Sequence, residues 1–171
     1  MLDGNALPWV LKVNHLGHVL ESDNSMKSDI IQKRGIFIGQ VNSLLQEFHS
    51  VPPYVLINFL HTYATGIYGS IVWDIQSAGC EKLFRSYNVA IRTIFNIDRT
   101  THRYMIESLS NRVHLKTLLA ARYTNFYRGL IESPKFPMKY LARICENDHR
   151  TVLGRTMSLL KIVCDVSNSL H

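Results

Sequence analysis

Cysteine is scarce in this chain. Cys80, Cys145 and Cys164 are an odd number and include no Cys-x-x-Cys pair. That pattern suits free thiols in a reducing compartment rather than a disulfide framework. Cys145 and His149 have ligand-like spacing, but no second pair completes the four ligands of a zinc site. The N-terminus, Met1-Leu2-Asp3-Gly4, lacks the basic and apolar regions of a secretory leader. An intracellular location, nuclear or cytoplasmic, is therefore expected. No Asp-Asp dipeptide and no Gly-x-Ser-x-Gly occurs, and no cysteine has an obvious histidine partner nearby. Nucleophilic catalysis thus finds no support. Asp, Glu, Lys and Arg are all missing from Phe48 to Trp73. That run contains Pro52-Pro53, Asn58, His61, Thr62, Thr65 and Ser70, which lipid would tolerate poorly, so a buried helix and no membrane span is expected.

What is present is a hydrophobic, basic chain. Hydrophobic residues make up 46% of the 171, enough for a sizeable core. The net charge of +6 favours a polyanionic partner. Residues 1–80 carry 4 Lys+Arg against 6 Asp+Glu, whereas residues 81–171 carry 15 against 7. An anion-binding surface is expected mainly in the second half.

Trp9, Leu11 and Val13 alternate as in a strand, and the phase then shifts to Leu16 and Leu20, which predicts a turn or bulge near Gly17. The cluster 21–25 is rich in helix-capping residues. Met26, Ile30, Phe37, Val41, Leu44 and Phe48 predict a long helix over 26–48. Pro52-Pro53 opens a second helix, with Val55, Leu56, Phe59, Leu60 and Tyr63 inward, ended by Gly66 and Gly69. A third helix over 78–96 places Leu83, Tyr87, Ala90, Ile91 and Ile94 on one face. Asp98, Thr100 and Thr101 restart the chain into a short helix through Leu109. A long helix over 113–132 carries the stripe Leu115, Leu119, Tyr123, Phe126 and Leu130, and Ser133-Pro134 breaks it. Shorter helices are expected over 138–147 and 152–165. The fold class is mainly α, a helical bundle with a small N-terminal β strand or hairpin.

Four segments carry a family resemblance: LPWVLKVNHLGHVLESDNSM (7–26), FNIDRTTHRYMIE (95–107), ARYTNFYRGLIESPKF (121–136) and ENDHRTVLGRT (146–156). The first resembles the junction between the last palm strands, with a Leu-Gly at the primer-grip hairpin, and the thumb of non-LTR (LINE-type) retrotransposon reverse transcriptases. The others resemble the helical region that follows the thumb. The resemblance implies a residual palm and primer-grip element over 1–22, thumb-like helices over 23–75 and a basic helical connector over 76–171. In such polymerases a Phe/Tyr-x-Asp-Asp box lies in the palm, just upstream of the part matched here. This chain has no such box, and it also lacks the family's fingers, endonuclease and zinc knuckle. Ile97-Asp98 stands where relatives are expected to carry Leu-Pro. The resemblance implies either a truncated element copy, cut off from its catalytic palm, or a partial gene model.

The candidate sites follow from charge and chemistry. Two-metal nucleotidyl transfer needs paired carboxylates. Glu21 and Asp23 come nearest to a pair, and a helix-capping role suits them better. No catalytic residue, metal or cofactor is expected. His15 and His18, three apart on an extended strand, should face opposite sides. Gly17 is the primer-grip candidate, because a glycine lets backbone approach a sugar-phosphate chain. Lys27, Lys33 and Arg34 lie on the first long helix, where Gly35 and Gly39 expose backbone on one face. Lys82, Arg85 and Arg92 form a stripe opposite the apolar face of the third helix. Arg99 and Arg103 extend it, with Thr100 or Thr101 as a cap whose helix amides would accept phosphate. Lys135, Lys139 and Arg143 make a further i, i+4 series. Tyr123, Tyr127 and Tyr140 are candidates to stack on unpaired bases. The expected function is binding of RNA, DNA or RNA–DNA hybrid by a non-catalytic module, with no small-molecule substrate. The alternative is a structural or protein-interaction remnant whose basic residues are only a solvated surface.

Overall fold

The computed structural model describes residues 9–23, 25–148, 150–151 and 154–156. Among them the chain is mainly helical, with one two-stranded antiparallel hairpin at the N-terminal end. Strands β1 (Lys12–His15) and β2 (His18–Glu21) pair Lys12 with Glu21 and His15 with His18. Leu16 and Gly17 link them at φ 48° and 78°. Two successive positive φ values are the mark of a tight hairpin turn whose twist matches the strands. Gly17 adopts its angle freely, whereas Leu16 does so at about 1–2 kcal/mol. This turn is the predicted phase break. It also corrects the histidine geometry: directly opposed residues share a face of the hairpin, so His15 and His18 lie side by side. The alternating Trp9, Leu11 and Val13 remain exposed, at 85%, 71% and 48%.

Helix α1 (Lys27–Glu47) starts where Glu21 reaches across from β2. The Glu21 carboxylate accepts from the Ser28 amide at 3.0 Å, from the Ser28 and Ser25 hydroxyls, and from Lys12 Nζ. Asp23 accepts from the Ser25 amide at 2.9 Å. Both acids therefore tie the chain into the helix start. Helix α2 (Pro53–Phe59) continues into a π turn, Leu60–Ala64. A wider turn favours a repeat of four, so Leu56, Leu60 and Ala64 are buried while Tyr63, expected inward, swings into solvent.

Helix α3 (Ala78–Phe95) is capped by Ser77 Oγ, which accepts from the Cys80 amide at 3.3 Å, and it ends at Asn96 in the left-handed region. Helix α4 (Arg103–Ser110) begins after His102. Neither Thr100 nor Thr101 caps it: the Thr100 amide is held by Asp98 Oδ1 at 2.6 Å, in a local turn that ends before the helix starts. Helices α5 (Leu115–Glu132) and α6 (Phe136–Asn147) pack on each other. The expected stripe of α5 is buried through Leu115, Leu119 and Tyr123. Beyond it, Phe126 and Leu130 only line a shallow groove against α6. Most of the helix expected over 152–165 lies outside the described residues, as do Cys164 and His149.

One core joins α1 (Ile30, Phe37, Val41), α2 (Leu56, Ile57), Trp73, α3 (Leu83, Tyr87, Ile91), α4 (Ile106) and α5 (Leu115, Leu119). Each such side chain contributes about 1.5–3 kcal/mol on burial. Cys80 is sealed within it, and burial pushes its thiol up to about 11, well away from reactive thiolate. No helix of the described residues is long and apolar enough to cross a membrane.

A buried histidine, His114, and a half-buried one, His61, set an acid limit. His114 is the N-cap of α5: its Nδ1 accepts from the Lys116 amide at 3.1 Å, so Nε2 carries the proton and donates to Asn88 Oδ1 at 3.0 Å. Burial, then the Arg103 charge, hold His114 down at about 4. Burial and Arg112 lower His61 in the same direction. The unfolded chain binds these protons more readily, so their contribution is complete above pH 6.5 and is lost as the pH falls towards 4. Glu21 is held at about 2, first by the Ser28 amide and then by Lys12, so its contribution is lost between about 4.5 and 2. Thermal unfolding followed by circular dichroism should show a falling midpoint from pH 6.5 downward. His114→Asn, which keeps a capping side chain, should shrink the loss between 6.5 and 4. A midpoint that rises on acidification from pH 7 to 5 contradicts this account.

Candidate nucleic-acid interface

Twelve residues were expected to meet nucleic acid, and the fold divides them. Arg34 lies on α1 and Lys82 and Arg85 on α3, far apart in sequence. The packing of α1 on α3 brings all three to one groove of about 580 Å³ between the helices. Arg34 Nε donates to Ser86 Oγ at 2.8 Å, which fixes the guanidinium across the helix pair. That bond uses one of five N–H donors and leaves the planar fork for an anion. Lys82 and Arg85 are exposed on the outer side of α3. Their acidic neighbour Glu81 is paired with Lys116 at 3.1 Å, so it does not cancel their charge.

Other members of the set have internal work. Arg92, expected on the exposed face, is half-buried. Its Nη2 donates to the Thr101 carbonyl at 2.8 Å, and its Nε is buried with no partner among the described residues. The cause is the left-handed turn at Asn96, which folds residues 97–101 back over the end of α3. Lys33 Nζ donates to the Gly17 carbonyl at 2.8 Å and so ties the hairpin tip to α1. Gly17 itself is exposed at that tip. Arg103 pairs with Glu107 one turn on, at 3.0 Å. Arg99 is exposed in the preceding turn, and Lys27 is exposed at the first residue of α1. Lys135, Lys139 and Arg143 follow one another from the N-cap of α6 as a separate basic row. A Cβ at Gly35 or Gly39 would meet nothing within 4 Å, so neither glycine serves helix packing.

The aromatic candidates divide as well. Tyr123 is buried and cannot stack on a base. The Tyr127 hydroxyl donates to Glu146. Tyr140 is exposed and lies flat against Phe136, with ring centroids 5.9 Å apart.

A buried polar constellation outside the candidates above centres on Asp29. Asp29 is 0% exposed. Its Oδ1 accepts from the Val19 amide at 3.1 Å, and its Oδ2 accepts from Trp73 Nε1 at 2.8 Å and faces His18 Nδ1 at 3.0 Å. A carboxylate only accepts, so His18 carries its proton on Nδ1. At about 100° per residue Asp29 lies well round α1 from Ile30, Phe37 and Val41, so the apolar stripe does not single it out. Beside it, a Cβ at Gly69 would sit 2.1 Å from the His18 ring, and φ there is +74°, so only glycine fits. Among the described residues, no three His, Cys, Asp or Glu side chains gather as a metal site requires.

Arg92→Gln should lower stability by about 1–3 kcal/mol, because the Thr101 carbonyl loses a charged donor in a half-buried turn. Denaturant unfolding measures this. The result that would contradict it is a variant as stable as the parent that nonetheless loses affinity for a polyanion. No family model matches this chain, nor does any curated protein or solved structure.

Proposed function

We propose that these residues form a nucleic-acid-holding module, the thumb and helical connector of a non-LTR-type reverse transcriptase, with no catalytic step assigned to them. The observation that carries the binding reading is the meeting of Arg34, Lys82 and Arg85 at one groove, with the adjacent acid Glu81 paired to Lys116. The four segments that resemble the family support the assignment to a reverse transcriptase. Binding of this kind is electrostatic: each cation displaces condensed counterions from a phosphate and reads no sequence. Glu21 and Asp23, the nearest approach to a carboxylate pair, are engaged at the start of α1, so no nucleotidyl-transfer step is assigned to them.

The exposed hairpin residues Trp9, Leu11, Val13 and Leu16 favour a second reading, a protein-contact surface, in which the hairpin packs on a partner. The two readings predict different things of the basic groove.

Labelled RNA and RNA–DNA hybrid, titrated by fluorescence anisotropy at several salt concentrations, test the first. Three neutralised phosphates correspond to a log–log salt slope of about −2 to −3 from the groove. The double variant Lys82→Gln/Arg85→Gln should make the slope shallower by about 1.5–2. Both residues are exposed, so the fold should be retained. No binding at low salt rejects the nucleic-acid reading and leaves the protein-contact one, and a double variant that binds like the parent at every salt rejects this groove as the binding surface.

A further inference from the structure

The groove between α1 and α3 is not uniformly basic. Ile30 of α1 lies beside Gly79 of α3, and Arg34 reaches Ser86, so the two helices run alongside each other in the same direction. Arg34, Lys82 and Arg85 therefore crowd one end. Along the rest, α1 presents Ile38, Val41 and Leu45, and α3 presents Val89 and Ala90. Ile38 and Val89 are 36% and 53% exposed, apolar surface turned to water inside a concave site. Asn42 and Thr93 edge the same apolar end. Its ≈ 580 Å³ falls within the range of sites that enclose small organic groups, about 300–1,000 Å³.

We infer that this groove takes unpaired nucleotides, with the sugar-phosphate chain at its basic end and base faces against Ile38 and Val89. The inference rests on the nucleic-acid reading above and narrows it. A duplex stacks its bases on one another and offers such a groove mainly phosphates. It would leave the aliphatic end against water. A single strand exposes base faces, and apolar contact with them tolerates any sequence. The two ends then contribute differently. Cations set the salt dependence, while aliphatic contacts add affinity that salt does not screen.

The test uses three labelled oligonucleotides of equal length: a single-stranded RNA, an abasic strand with the same phosphates, and a blunt duplex. The parent chain should bind the intact strand roughly ten-fold more tightly than the abasic one, the order expected when a base covers about 50–60 Å² of aliphatic surface. Ile38→Ser/Val89→Ser should remove most of that difference and leave the salt slope unchanged. Far-UV circular dichroism of the variant checks the fold, and Ile38→Met/Val89→Met, which preserves apolar surface, should retain the preference. Equal affinity for intact and abasic strands, or a preference for the duplex, overturns the inference while the wider reading survives through its salt slope. If none of the three binds at low salt, both fall together.

Discussion

A buried carboxylate determines how this molecule is joined. Asp29 sits in the first turn of α1 with no exposed surface, and its oxygens take up the Val19 amide, the Trp73 indole and the His18 ring. These come from the hairpin and from the turn that precedes α3. Taking a carboxylate out of water costs several kcal/mol, and only a full set of donors offsets it. All three segments must therefore be in place at once. Removing the acid would leave a backbone amide, an indole and an imidazole without their acceptor, a loss of about 3–5 kcal/mol by comparison with other broken buried networks. Gly69 completes the arrangement, because any side chain there would strike the His18 ring.

The consequence for function lies in the placement of α1. The Asp29 cluster fixes its start against Trp73, two residues beyond which the chain turns towards α3. Ile30 then rests against Gly79, and one turn later Arg34 meets Ser86. The basic end of the groove is thus a product of the same packing that holds the core. The basic residues divide by the same logic. Lys33 and Arg92 close turns within the fold, and Arg103 answers Glu107. Lys82 and Arg85 stand on the solvent side of α3, where no turn folds over them.

The helical periodicities of α1, α3 and α5 could be read directly, because each carries a stripe of aliphatic and aromatic residues at spacings of three and four. So could the hairpin turn, from the change of apolar phase at Leu16-Gly17. The misplacements have local causes. Tyr63 fits an α repeat but not the π turn that follows Phe59. Arg92 shares a face with Lys82 and Arg85 by angle alone, and nothing in that angle tells of the chain folding back after Asn96. His15 and His18 look opposed on one strand and become neighbours once the strand turns. Asp29 was overlooked because an acid in the first turn of a helix is ordinary, and its partners lie 10, 11 and 44 residues away. The pairing of Arg34 with Lys82 and Arg85 was equally out of reach, since it depends on the packing of two helices rather than on either pattern.

Hydrogen exchange followed by mass spectrometry on Asp29→Ala tests the dependence of the fold on that one side chain. The account predicts loss of protection across 12–21 and around Trp73, together with weakened protection at the start of α1, while α5 exchanges as in the parent. A variant whose hairpin amides remain as protected as those of the parent would contradict it, and Asp29 would then be a tolerated buried acid rather than the joint of the structure.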